Sequence, residues 1–541
     1  MQQLVDLFGF FSVVLRAGTL VFQSLMLGGV VFLMWVARDV PGDAEQTRKL
    51  KSSLWVLLRA SILGLVIVQL MYLYVNSAVL MTTAEIGFSE VVGANFFISG
   101  SIVLAAASVA LVVAWTRWRF ATWLLPVLAL VVLGASLMTN HAASRMEGRP
   151  LLVALTMIHE AATGLWIGGL PFLVLGLFRD KNKNARWYMT ERFSRMALVS
   201  VIAIALSGLG MSLLYIGSWR AVLGTAYGVM VVAKASMLGV LLLLGGVNFL
   251  LLRNAASKDE VMPRLRRLIE AEVGIGITVI LTAASLTSQP PAVDQPNEIV
   301  SMHQIYQRFK PTLPRLTYTR VDVATNTAPE DGAAGKTSPV YNVDGLPLTA
   351  TLINDSIESE SNHHWMGLVV LAMGLLALLA RTGKAPWAEY WPLLLIGIAV
   401  FIFLQADTEC WPVGWKGFWQ CWADPEVFQH RIAAIVCIGF AVFELRVRKR
   451  KIENDRLALV FPLMCAAGGA VLLTHSHAIV NVKENLLVEL SHVPMGLFAV
   501  FAGWARWLEL RLPPEDRKIP SWVWPACFVL IGAGLLNYRE M

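Results

Sequence analysis

Residues 151–178 read LLVALTMIHEAATGLWIGGLPFLVLGLF, 28 residues with one acid, one histidine and no lysine or arginine. At ~1.5 Å per residue, a helix of this length crosses a bilayer with some tilt. His159 and Glu160 nevertheless stand side by side about a third of the way in. Ionisable groups at that depth are costly, so a chain that keeps them usually needs them. The rest of the chain reads as scaffold, access or partner for this helix.

The 541 residues are 56% hydrophobic and 15% charged, with a mean hydropathy of +0.62. That composition belongs to a polytopic membrane protein in a lipid bilayer. The opening MQQLVDLF has no basic n-region and no small-residue cleavage site, so it reads as an uncleaved first helix. The net charge of +7 does not point to nucleic acid, because the basic residues fall in short loops between apolar segments. Five cysteines form no CxxC pair.

Fourteen apolar segments stand out, near 7–37, 54–80, 95–115, 120–139, 151–178, 194–216, 225–252, 268–288, 365–380, 389–407, 427–445, 457–474, 485–510 and 521–537. They predict an all-α transmembrane bundle. Loops after odd-numbered segments carry 27 lysines and arginines, and short loops after even-numbered ones carry 5. The positive-inside rule then places both termini on the periplasmic side. Three regions follow: an eight-helix half over 1–288, a proline-rich external module over 289–362, and a six-helix half over 363–541.

On this topology every histidine falls in an external loop or the outer half of the membrane. His141 follows segment four. His363 and His364 open segment nine, and His430 opens segment eleven. His475 and His477 follow segment twelve. His159 lies ~13 Å and His492 ~10 Å below the outer ends of their helices. Histidine is the commonest ligand for borderline metals, and methionine adds selectivity for Cu(I). Glu489, His492 and Met495 are spaced i, i+3, i+6, close to one helical face. Two tiers result. A mouth is formed by His141, His475 and His477, with His363, His364 and His430 as access groups. Below it lie His159 and His492, with Glu160, Glu489 or Met495 to complete coordination. The competing reading of each buried histidine is a bond to a helix neighbour.

Lys234 lies level with Glu160 and could pair with it, or pair elsewhere. Cys410 and Cys421 enclose CWPVGWKGFWQC in an external loop, and an oxidising periplasm favours a disulfide there over two thiols. Two apparent motifs fail: HEAAT at 159–163 lacks the second histidine of HExxH, and GKT at 335–337 lacks the first glycine of a P-loop. No ATP engine and no enzyme active site is apparent.

With these residues in view, the chain resembles the copper resistance protein D (CopD) family of bacterial inner-membrane proteins. The family-like core runs from RFSRMALVSVIAIALSGLG at 192–210 to AYGVMVVAKASMLGVLLLLGGVNFLLLR at 226–253. HEAATGLWIGG precedes it. YQRFKPTLPRLT, NHHWMGL, ADTECWP, DPEVFQHR, THSHAIVNVKENLLVELSHVPMG and GWARWLELRL look like the longer, two-part members. The resemblance implies copper handling, with uptake across the inner membrane and a periplasmic CopC-type carrier as partner. The copper would be Cu(I) or Cu(II). The rival from another class is a haem-binding redox subunit, with His159 and His492 as an axial pair. A copper sensor without transport is a third.

Overall fold

The computed structural model describes residues 8–116, 121–254, 258–287, 289–317, 328–329, 337–338, 350–423, 425–449, 456–474 and 482–540. His475 and His477 lie outside them. The chain forms two compact units, one chiefly Met1–Val222 with Ala226–Asn297, the other chiefly Glu298–Leu473 with His477–Met541.

The first unit contains α1 (Phe8–Val31), α2 (Ala44–Ala84), α3 (Asn95–Thr116), α4 (Ala121–Leu137), the short α5 (His141–Ser144), α6 (Arg149–Trp166), α7 (Leu170–Arg179), α8 (Lys183–Ile216), α9 (Ala226–Arg253) and α10 (Lys258–Leu286). The second contains α11 (Met302–Phe309), α12 (Ala350–Arg381), α13 (Leu394–Gln405), α14 (Pro425–Arg448), α15 (Val460–Thr474), α16 (Val482–Arg511) and α17 (Lys518–Leu536). Two two-residue strands, β1 (Ala328–Pro329) and β2 (Thr337–Ser338), pair antiparallel. The fold is an all-α polytopic bundle. All fourteen apolar segments lie on helices, and twelve helices among the described residues are long and apolar enough to cross a membrane. The segments outside those twelve are α4 and α14.

Sequence chemistry sets the helix ends. The Asp43 side chain caps α2 by accepting from the amides of Glu45 and Gln46, and Asn182 does the same for α8. Gly217, at φ 70°, ends α8 in the left-handed region that glycine enters without steric cost.

Helix α1 is the hub of the first unit, packing on α2, α4, α6 and α10. It crosses the break between α6 and α7 at backbone distance. A Cβ on Gly168 would stand 1.9 Å from the Ser24 carbonyl oxygen, so only glycine permits this crossing. The crossing carries Gln23 to the face of α6 that bears Glu160.

In the second unit α12 packs on α17, and α16 on α17. Their core gathers Met373, Trp391, Phe461, Trp524 and Phe528. Beside it lies a buried ion cluster. Arg506 donates to Glu509 at 2.7 Å and to Glu444 at 3.2 Å, and Arg448 meets Glu444 at 3.0 Å. Arg381 pairs with Glu509, and the Trp524 indole N–H donates to the same carboxylate at 2.7 Å. Each charge is thereby offset where water is excluded.

One segment differs from its sequence reading. The ninth apolar run, 365–380, is the second half of a 32-residue helix that starts at Ala350. The first half is polar, so hydropathy alone passes over it. Ile353, Ile357, Glu360, Ser361 and His364 are nevertheless buried along it at helical spacing.

Candidate metal-handling sites

In the first unit the side chain of Glu160 is held from α1 and from the bend that precedes α5. Asn140 Nδ2 donates to Oε1 at 2.8 Å, and Gln23 Nε2 donates to Oε2 at 3.2 Å. Arg16 in turn donates to Asn140 Oδ1, and to Thr139 Oγ1 at 3.4 Å. The carboxylate thus receives its cation through an amide relay. Lys234 acts electrostatically on both Glu160 and His159, but no ion pair joins Lys234 to Glu160 among the described residues.

His159 Nδ1 lies 3.1 Å from Ser207 Oγ on α8. The Ser207 hydroxyl has one proton and donates it to the Ala203 carbonyl at 2.5 Å. It therefore accepts from Nδ1–H, which leaves the lone pair of the neutral ring on Nε2. Gly208 makes room for the ring, since a Cβ there would lie 3.4 Å from His159 Cε1.

His141 sits on α5, directly after Asn140. Its Nε2 is buried without a hydrogen-bond partner among the described residues. Burial holds its pKa below the ordinary imidazole value, against the Thr287 and Gln289 backbone and the Asp294 carboxylate, which raise it.

In the second unit His363, His492 and Tyr538 form a ring cluster. The two imidazoles meet edge to face with centroids 5.9 Å apart, and Tyr538 stacks on His363 at 4.0 Å and meets His492 at 5.4 Å. His363 Nδ1 lies 2.7 Å from the Ser359 carbonyl, and His492 Nδ1 lies 2.9 Å from the Val488 carbonyl. A carbonyl can only accept, so each Nδ1 carries the proton and each neutral ring has its lone pair on Nε2. Glu489 and Met495 are buried on the same helix as His492, at 7% and 5% exposure.

His364 is engaged differently. Its Nε2 donates to the Tyr538 carbonyl at 2.9 Å and its Nδ1 accepts from the Arg315 amide at 2.8 Å. Both nitrogens are committed to backbone, and the ring fastens the end of α17 to α12. His430 Nδ1 meets Asp407 Oδ1 at 2.9 Å, again directing the lone pair to Nε2.

Cys410 and Cys421 are each 2% exposed, pack with Val427 and carry free thiols. The two side chains are in hydrogen-bond contact, and burial, then Cys421, push the Cys410 thiol up to about 11.

Among the described residues no three of histidine, cysteine, aspartate and glutamate gather closely enough to hold a metal ion. What the geometry offers is pairs and single imidazoles with a committed Nδ1. Sequence reading separated His363 from His492 as mouth and interior, whereas their rings touch. It gave no role to Tyr538, Ser207, Gln23, Asn140 or Asp407. The acceptors for His363 and His492 are backbone carbonyls four residues back, which every helical residue has, so no sequence signal marked these tautomers.

Residues 187–286 match the family model described as Copper resistance protein D. Copper transport protein CutJ of Bacillus subtilis (strain 168) is 30% identical over 208 residues, which cover 37% of each chain. The present chain thus spans just over a third of that curated relative. No solved structure matches. The matched residues form α8, α9 and α10, the helices that supply Ser207, Lys234 and one wall of the first unit. It is through this segment that the chain is similar to the copper resistance protein D family.

Proposed function

We propose that the protein carries copper inward across the bacterial inner membrane, receiving it on the periplasmic side from a CopC-type carrier. The observation that carries this reading is the common orientation of four imidazoles. His159, His363, His430 and His492 each commit Nδ1 to an oxygen, so that Nε2 bears the lone pair. Metal-binding histidines are oriented in this way by outer-shell acceptors. The family-model match over residues 187–286 and the relative named for copper transport support copper as the cargo.

The two imidazoles suit Cu(I), Met495 adds a soft donor on the same helix, and Glu489, also buried on that helix, would tolerate Cu(II). A set of weak, incomplete sites also suits passage, because an ion held by a closed cage would not leave. His141 and His430, with His475 and His477, then serve as receiving groups, and the His363–His492 pair and His159 as interior ones. Inward flow of a cation is favoured by ~2.3 kcal/mol per charge per 100 mV. The orientation rests on the 27 to 5 asymmetry of basic residues.

Copper accumulation in inside-out and right-side-out vesicles tests this directly. Uptake should appear from the periplasmic face and fall to background with His363→Ala/His492→Ala. Equal uptake by that double variant, inserted at wild-type level, would remove the pair from the route. Transport from the opposite face would reverse the direction.

A further inference from the structure

A cavity of about 250 Å³ lies in the first unit between α8, α9 and α10, the family-matched helices. Its walls are mostly apolar, and its rim carries Leu198, Leu242 and Phe249, all exposed. Beside the hydroxyls of Thr190 and Ser194 on α8, a carboxyl and an amide reach it from α10 and α9. Glu272 of α10 is 3% exposed and Asn248 of α9 is 7% exposed. Asn248 Nδ2 donates to Glu272 Oε1 at 2.5 Å, while Asn248 Oδ1 is buried and takes no hydrogen bond among the described residues. Beside them Gly246 faces open space.

Among the described residues the carboxyl has no counter-cation. Of the elements packed on α10, α1 offers Arg16, which is bound to Thr139 and Asn140. Helix α7 offers Arg179, at its end. Helix α8 offers Lys183, Arg186, Glu191, Arg192 and Arg195 near its start. Helix α9 offers Arg253 at its end and Lys234, which acts on Glu160 and His159. None of these acts on Glu272, whose only polar influence is Asn248. On α10 itself, Glu270 takes Arg266 and Arg267. A lone carboxylate in an apolar cavity costs several kcal/mol unless a proton or cation joins it. The donors here, one carboxyl, one amide oxygen and the hydroxyls of Thr190 and Ser194, are all hard oxygens unsuited to copper, and the smallest cation that satisfies both Glu272 and Asn248 is a proton. A proton on the carboxyl, with the amide turned over, would also satisfy Asn248 Oδ1.

We propose that Glu272 is an intramembrane proton-exchange site, with Asn248 as its hydrogen-bond partner and the cavity as the route by which the proton is gained and lost. This site is separate from the histidines and does not depend on copper being the cargo.

Dicyclohexylcarbodiimide tests it, because this apolar reagent attacks protonated carboxyls in apolar surroundings. Full-length protein in its native membrane is treated in buffers from mildly acidic to mildly alkaline, and modified peptides are located by mass spectrometry. Glu272 should be modified, with a yield that falls as the pH rises, while Glu270, paired with two arginines, is not. Glu272→Gln should abolish the modification, and Asn248→Leu should shift its pH profile. Absence of modification at Glu272 at every pH overturns the proposal. A yield that does not change with pH does so as well, since the group would then hold its proton permanently. Copper uptake is a separate readout, so failure of the copper reading leaves this result untouched.

Discussion

The imidazole of His363 lies on the ring of Tyr538, 4.0 Å between centroids and 24° from parallel. The two residues are 175 positions apart and meet because α12 packs along α17. Tyr538 also meets His492 edge-on and, through its carbonyl, accepts from His364. One aromatic residue therefore sets the spacing of two imidazoles and anchors a third. Tyr538→Phe keeps the stack and the backbone contact, so copper accumulation should stay near wild type. Tyr538→Ala removes the stack, and copper affinity should fall by about 10–100-fold, the range typical of outer-shell loss. Vesicle uptake at several copper concentrations separates the two, and equal values for both variants would show that the ring does not position the pair.

Ser207 tests the same idea in the first unit without touching a histidine. Its hydroxyl accepts from His159 Nδ1–H because its own proton goes to Ala203. Ser207→Ala releases the tautomer and should weaken copper retention by about 10-fold or more, with insertion unchanged. Ser207→Thr should restore much of it. If Ser207→Ala matches wild type while His159→Ala does not, His159 acts without this orientation.

Helices and their order were legible because apolar runs of membrane length leave few alternatives. What escaped was whatever hydropathy averages away. Arg506 and Glu509 lie on an apolar helix as an i, i+3 pair, and a window over the segment hides them. The start of α12 is polar on most faces and has no apolar run to reveal it. The histidines could be read as a set, because the orientation expected from charge puts all of them on one side. Their grouping could not. His363 and His492 meet only through the packing of α12, α16 and α17, and the supporting Ser207, Asn140 and Tyr538 belong to no motif. Gly168 could be read as a site of close packing, yet not that its partner would be Ser24.

Asn140 connects Arg16 to Glu160, and the predicted consequence is one of stability. Asn140→Leu leaves Glu160 with Gln23 as its remaining hydrogen-bond donor and strands the Arg16 guanidinium. An unsatisfied buried polar group costs about 1–3 kcal/mol, and more when charged. Thermal unfolding in detergent should shift downward accordingly. Asn140→Asp should be gentler toward Arg16 and harsher toward Glu160, since it sets two acids together. Adding Arg16→Leu to Asn140→Leu should recover part of the loss. A full additive loss in the double variant would show that Arg16 and Asn140 do not act as one relay.

Orientation is predicted from charge, and the expected grouping of histidines on one side depends on it. Reporter fusions at Lys183 and Lys449 should give cytoplasmic signals, and a fusion at Ala334 a periplasmic one. A periplasmic signal from Lys449 would invert the second unit and move His363 and His492 to the inner half of the membrane.

Cys410 and Cys421 decide the redox state of the loop before α14. The turn between them is tight: the Gly414 amide donates to the Cys410 carbonyl at 2.8 Å, and a Cβ on Gly414 would lie 1.9 Å from the Glu409 carbonyl carbon. Burial first, then Cys421 and Asp407, raise the Cys410 thiol from 9.0 to about 11. Little thiolate is therefore present at neutral pH, and spontaneous oxidation should be slow. On the topology predicted from charge this loop is external and meets periplasmic oxidants, so protein isolated without reductant should carry the disulfide. Closing this loop should add ~3 kcal/mol relative to the reduced chain. The pH dependence gives an independent check. A folded-state value above the unfolded one favours the neutral thiol, so the reduced protein should be fully stabilised below about 9 and lose that contribution as the pH rises toward about 11. The oxidised protein has no thiol to titrate there and should show no such fall. Alkylation of both cysteines in denatured, unreduced protein would refute the disulfide, and identical alkaline unfolding of the reduced and oxidised forms would refute the account of the thiol.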